Sequence, residues 1–96
     1  MPAGYLIGHI TVTNPEAYKE YVARVPAIIE AHGGHYLVRG GAEDTVEGEP
    51  AGKRHVCIAF PSFDAVKAFY NSPEYREIIE LRTANSTGSI TLVEGV

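Results

Sequence analysis

The side chains best suited to acid–base work in this chain are His9 and His55, because an imidazole gains and loses its proton near neutral pH. Each stands in a short β-branched run, and antiparallel pairing sets a residue late in the first run beside one early in the second. The two rings then face one space, where they can pass a proton, bind a metal or hydrogen-bond inside an interface. We expect proton transfer, with no metal and no cofactor. Arg39 is the first candidate for holding a charged ligand. A guanidinium grips a carboxylate through two parallel hydrogen bonds, and the Gly40-Gly41 that follows lets a ligand or another backbone come close. A glutamate such as Glu47 or Glu94 competes for the same side chain. Arg82, one turn beyond Ile78, reaches over the sheet edge as a second ligand-binding arginine or pairs with Glu77 or Glu80. Tyr70 and Tyr75 flank the Ser72-Pro73 break, where their phenols shape a polar pocket or sit as amphipathic residues at the edge of the core. Cys57 shares a face with His55, but a small buried filler is the simpler reading than a nucleophile. His32 and His35 have HxxH spacing, yet Gly33-Gly34 between them breaks the helical geometry a metal site of that kind requires. No glycine-rich phosphate loop, nucleophile elbow, CxxC pair or HExxH is present.

The elements that must position these residues are legible from periodicity. Tyr5 to Val12 alternates as a strand and ends at Thr13-Asn14-Pro15, where Asn14 caps and Pro15 opens a helix. Tyr18, Tyr21, Val22, Val25, Ile28 and Ile29 form the buried stripe of that helix, Pro26 predicts a kink, and Gly33-Gly34 ends it. His35 to Gly41 and Arg54 to Phe60 read as the second and third strands, joined by an exposed acidic hairpin connection with a short extension at Thr45-Val46. Ser62 caps a helix through Val66, Phe69 and Tyr70. Ser72-Pro73-Glu74 repeats the start signal for a segment burying Tyr75, Ile78, Ile79 and Leu81, which Asn85 to Gly88 breaks before a last strand at Ser89 to Glu94. The order β-α-β-β-α-β predicts a ferredoxin-like α+β fold, a four-stranded antiparallel sheet with its helices on one face.

Alternation also separates the two faces of that sheet. Leu6, Ile10, Val12, Val56, Ile58, Phe60, Ile90 and Leu92 share the helix-covered parity. The opposite parity carries Ile7, His9, Thr11, His55, Cys57, Ala59, Thr91 and Val93, joined by Leu37 and Arg39. Such a face is too apolar for water and too polar for a core, which predicts that a second copy of the chain covers it.

The composition excludes several function classes. In 96 residues, 45% hydrophobic and 21% charged, a single globular domain (1–96) is expected. Eight basic against 12 acidic residues give a net charge of −4, the wrong balance for a nucleic-acid surface. One cysteine precludes an internal disulfide and suits a cytoplasmic location, and neither a signal peptide nor a membrane span is expected.

Gly33-Gly34-His35-Tyr36-Leu37-Val38-Arg39-Gly40-Gly41, Phe60-Pro61-Ser62 and Phe69-Tyr70-Asn71-Ser72-Pro73-Glu74-Tyr75, with Asn14-Pro15-Glu16-Ala17-Tyr18, Glu47-Gly48 and Val93-Glu94-Gly95, resemble the bacterial domain-of-unknown-function family 1330 over nearly the whole chain. The resemblance implies the dimeric α/β-barrel superfamily, in which two sheets pack face to face, and it supplies no reaction. Members commonly carry an acid immediately before Phe-Pro-Ser; here that position is Ala59, so this chain lacks the base or metal ligand such an acid would supply. The functional expectation is a homodimer that binds a small anionic or carbonyl-bearing metabolite in a pocket between sheet and helices. A cofactor-independent monooxygenase or isomerase-like enzyme and a purely structural or regulatory dimer are the alternatives.

Overall fold

The computed structural model describes residues 2–96. Its elements are β1 (Gly4–Val12), α1 (Pro15–Ala31), β2 (His35–Arg39), β3 (Arg54–Phe60), α2 (Phe63–Tyr70), α3 (Pro73–Thr83) and β4 (Ser86–Glu94). Each helix starts where a polar cap satisfies an otherwise orphaned amide. Asn14 Oδ1 accepts from Ala17 N, Ser62 Oγ from Ala65 N and Ser72 Oγ from Tyr75 N. Helix α1 runs on past Pro26 and stops at Gly33, whose φ of 78° lets Gly33 N and Gly34 N bond back to Glu30 O and Ile29 O.

The strands form one antiparallel sheet in the order β2-β3-β1-β4. All three helices cover one face: Leu6, Ile58 and Phe60 rise from the sheet to meet Val25 and Ile29 of α1, Val66 and Phe69 of α2, and Tyr75 and Ile78 of α3. The arrangement is ferredoxin-like, with the second crossover made of two helices, as the repeated start signal at Ser72-Pro73 implies. Between Cα atoms the molecule measures 34 × 32 × 17 Å, a two-layer slab whose second sheet face is bare. No described helix is long and apolar enough to cross a membrane.

Four local expectations are corrected. Strand β2 ends at Arg39 rather than Gly41, and its register slips between Tyr36, opposite Ile58, and Val38, opposite Cys57. A one-residue bulge inverts parity beyond it. Val38 therefore continues the bare face, and Arg39, opposite Val56, belongs to the helix-covered side instead of the bare one. Strand β4 begins at Ser86 rather than Ser89, because β1 is long enough to pair Val12 with Ser86 and Thr11 with Thr87. Residues 40–53 make no strand extension at Thr45-Val46.

Candidate functional site

On the covered side of the sheet α1 packs against α3, and their phenols do not fill the space between these helices and the strands. A narrow cavity of about 40 Å³ remains. Its floor is apolar, from Leu6, Ile10, Val56, Ile58 and Ile90, and its upper wall is set by Tyr18, Tyr21, Tyr36 and Tyr75. Arg39, Arg54 and Arg82 supply every charge in the lining, and no carboxylate contributes to it.

Tyr75 is the centre of the polar wall. Placed by the Ser72 cap at the start of α3, it is 1% exposed and packs its ring on Phe69 at 4.7 Å. Its phenol oxygen accepts from Arg82 Nε at 3.2 Å and shares a 2.8 Å hydrogen bond with the Tyr21 hydroxyl. Burial, then the neighbouring Tyr75 phenol, pushes the Tyr21 phenol far above its ordinary range, so it stays protonated. Burial alone would lower the Arg82 guanidinium, but the surrounding phenols, Tyr75 first, more than offset it, so Arg82 stays charged. Burial also raises Tyr18 and Tyr36, against the pull of Arg54 and Arg82 on the one and of Arg39 and Arg54 on the other. Those shared neighbours place Arg54 midway along a row that runs from Arg39 to Arg82.

The middle arginine is held by glycine. Gly40 has φ of 65°, and a Cβ there would run into the Arg54 guanidinium. Close approach at the Arg39-Gly40-Gly41 block is thus made by a side chain of this same chain. The Nε of Arg54 is buried and has no hydrogen-bond partner. Arg39 sits at the mouth, exposed, with its guanidinium 4.6 Å from the Tyr36 ring centroid and Nη2 donating to Val22 O at 3.4 Å. Arg39 and Tyr36 also line a more open groove of about 320 Å³ beside Pro26, Ile29 and His35. Among the described residues, the salt bridges are Lys19–Glu16, Arg24–Glu20, His55–Glu43 and Lys67–Asp64, so none of the three cavity arginines is ion-paired. Neither Glu47 nor Glu94 takes Arg39, and neither Glu77 nor Glu80 takes Arg82.

The sequence-derived candidates divide between two places. Arg39, Tyr75 and Arg82 meet at the cavity. Tyr70 does not line it; its ring packs beside Tyr75 at 5.6 Å and under the Arg76 guanidinium. His9 and His55 lie on the other side of the sheet, directly opposite each other in the β1–β3 register. Their Nδ1 atoms are 2.8 Å apart, and His55 Nε2 is 3.4 Å from Glu43 Oε2. With both rings neutral, His9 Nδ1–H donates to His55 Nδ1 while His55 Nε2–H points to Glu43. The Thr45 and His55 hydrogen bonds hold the Glu43 carboxyl below its usual range. No group of three or more His, Cys, Asp or Glu among the described residues is placed to hold a metal ion. Burial raises the Cys57 thiol, which favours the unreactive protonated form. His32 closes α1 with Nδ1 at 3.0 Å from Ile28 O, and His35 opens β2.

Arg54, Tyr21, Tyr18 and Tyr36 were missing from the sequence-derived site. Parity pointed to Arg54, which shares the covered face with Val56, and the helical stripe pointed inward for Tyr18 and Tyr21. Tyr36, opposite Ile58, keeps the covered parity that alternation gives it, and the bulge brings Arg39 to the same side, which alternation alone does not reveal.

A family model described as "Domain of unknown function (DUF1330)" matches residues 3–96. The chain belongs to the DUF1330 family. Similar solved structures include RPA0582, a protein of unknown function from Rhodopseudomonas palustris, at 22% identity and a TM-score of 0.72, covering 97% of this chain and 80% of that one. SnoaB, a cofactor-independent oxygenase from Streptomyces nogalater, matches at 17% identity and a TM-score of 0.61, covering 97% and 92%. An antibiotic biosynthesis monooxygenase matches at 14% identity and a TM-score of 0.54, covering 100% and 97%. No match was found among curated proteins. These likenesses place this DUF1330 member among ferredoxin-like α+β folds, and at such identities they carry the fold alone.

Proposed function

We propose that this DUF1330 member is a homodimer, acting in the cytoplasm, that binds a small anionic or carbonyl-bearing metabolite in the cavity between its helices and its sheet. The observation that carries the reading is the lining: Arg39, Arg54 and Arg82, none ion-paired, beside the hydrogen-bonded Tyr21 and Tyr75 hydroxyls. Partly buried guanidinium groups without carboxylate partners are costly in an apo protein, and a ligand carboxylate or carbonyl oxygen satisfies them. Arg82 and Tyr75 orient the ligand oxygen, Arg54 holds charge from the sheet side, and Arg39 guards the mouth.

The dimer rests on the bare face. Paired positions there include Tyr5, Ile7, His9, Cys57, Thr91 and Val93, and the β1 and β3 residues of that parity include no Lys, Arg, Asp or Glu. A four-stranded face of roughly 19 by 25 Å presents on the order of 500 Å². Two copies face to face then bury about 1,000 Å², the lower bound for a specific interface. His9 and His55 lie within that interface.

A thermal-shift screen of small acids and carbonyl compounds tests the binding function. Stabilisation by a hit that vanishes in Arg82→Ala supports it, and no hit across the panel sinks it in favour of a structural or regulatory dimer. A second reading is an enzyme, favoured by the Arg82–Tyr75–Tyr21 chain, which has the donors to stabilise an oxyanion next to a proton-carrying phenol. The oxygenase fold relatives make oxygen uptake with each binding hit the assay for it. Under this reading His9 and His55, across the sheet from the cavity, serve the interface rather than the reacting atoms.

A further inference from the structure

We propose that the groove between α1 and β2 binds a monocarboxylate with an apolar body, its carboxylate held by Arg39 and Arg39 itself held in place by Pro26. The groove shares Arg39 and Tyr36 with the enclosed cavity but is a separate site, and it does not depend on what that cavity binds. At about 320 Å³ it falls within the size range of small-molecule sites.

Pro26 sets up the anchor. It stands inside α1 and has no N–H, so the Val22 carbonyl four residues earlier lacks its usual helical donor. Arg39 Nη2 takes that place at 3.4 Å, and the same guanidinium lies 4.6 Å from the Tyr36 ring centroid. Contacts from two elements thus fix an exposed arginine that no carboxylate of the described chain pairs with. An interior proline weakens a helix, but here it leaves an acceptor that orders a cation at the groove wall. An arginine ordered in advance loses little freedom on binding and keeps its remaining donors for a carboxylate. The rest of the lining sets the body of the ligand: Pro26, Ile29 and the Tyr36 ring present apolar surface beside the cation. His35 and Glu30 are the other polar side chains in the lining. Glu30 is the competing anchor, for a cationic ligand. It is exposed near the end of α1, and no ion pair holds its carboxylate as Val22 and Tyr36 hold Arg39. The ordered charge therefore selects an acid over an amine.

Isothermal titration of the purified full chain at constant ionic strength and neutral pH decides the matter with phenylacetate, acetate, 2-phenylethanol and phenethylamine, which vary the body and the charge separately. Phenylacetate should bind at least about tenfold more tightly than each of the others. Arg39→Gln, at an exposed position, should bring phenylacetate down to the affinity of the alcohol. Pro26→Ala returns an N–H to the Val22 carbonyl and so releases Arg39: the melting temperature should rise while the preference for phenylacetate over 2-phenylethanol falls. A proline that only lines the groove would weaken both ligands alike, and an unchanged preference therefore overturns its positioning role. Acetate or the alcohol binding as tightly as phenylacetate, or the amine binding more tightly, overturns the carboxylate assignment. The cavity is read separately through Arg82→Ala, with far-UV circular dichroism establishing that the variant is folded. Loss of phenylacetate binding there as complete as in Arg39→Gln moves the acid into the cavity and sinks the groove site while the cavity-binding function stands. If none of these probes binds, the groove site falls alone.

Discussion

Tyr75 joins two partners through one oxygen, so its loss is felt twice. Tyr75→Phe keeps the ring packed on Phe69 but strands the Arg82 Nε and the Tyr21 hydroxyl in a poorly hydrated space. The expected cost is about 1–3 kcal/mol, read as a lower urea midpoint; an unchanged midpoint would show that water replaces the phenol freely. Tyr21 predicts the alkaline behaviour. Its phenol titrates far above the ordinary value of 10.0 when folded, so the unfolded chain releases this proton first. The stabilisation is fully present below that value and is lost as pH rises above it. Denaturant titrations at about pH 9 and about pH 11 should show a fall in stability that Tyr21→Phe makes shallower. An equally steep fall in the variant would assign the effect to the other tyrosines.

Two short elements place the site, and both work through backbone geometry. The Ser72 hydroxyl accepts from Tyr75 N at 3.2 Å and donates to Phe69 O at 2.8 Å, tying the end of α2 to the start of α3 at the residue that carries the phenol. Ser72→Ala should cost about 1–2 kcal/mol and weaken binding of any cavity ligand. Unaltered unfolding would mean that the junction holds by packing alone. At the other end of the row, Gly40→Ala imposes a left-handed conformation on a residue with a Cβ and drives that Cβ into Arg54. A destabilisation of about 1–3 kcal/mol is expected, with loss of ligand response through displacement of the guanidinium. If the variant binds normally, Gly40 serves the turn and not the arginine.

For the whole molecule the decisive feature is the slab with one dressed face. A thickness of 17 Å accommodates the sheet and one layer of helices, and the second sheet face has no layer of its own. Light scattering on the native protein should give about twice the chain mass of 10.4 kDa. Ile7→Asp places a carboxylate in the middle of β1 on the bare side and should return the mass to that of one chain, with the cavity on the opposite face left intact. A native mass of one chain, or an unchanged mass in the variant, removes the covered-face argument.

Much of this architecture can be read in the sequence because it depends on local signals. Asn14-Pro15, Ser62 and Ser72-Pro73 start helices by satisfying amides within one turn, and Leu6, Ile10, Ile58 and Phe60 mark the buried side of their strands by alternation alone. Arg82 and Tyr75 are legible as neighbours for the same reason, being seven residues apart on one face of α3. What the tertiary structure decided is which candidates share a space. The bulge after Tyr36 moves Arg39 across the sheet, and no residue type announces it, because register is fixed by pairing with a strand that lies beyond residues 40–53. His9 and His55 share a face as alternation predicts and fall opposite each other through the antiparallel β1–β3 pairing, but on the far side of the sheet from the arginines, and the sheet itself keeps them apart. Arg54, which parity assigns only to the covered face, becomes the middle of the charged row because Gly40, brought alongside it by β2–β3 pairing, leaves room for a guanidinium. Periodicity assigns a residue to a face; only long-range pairing assigns it neighbours.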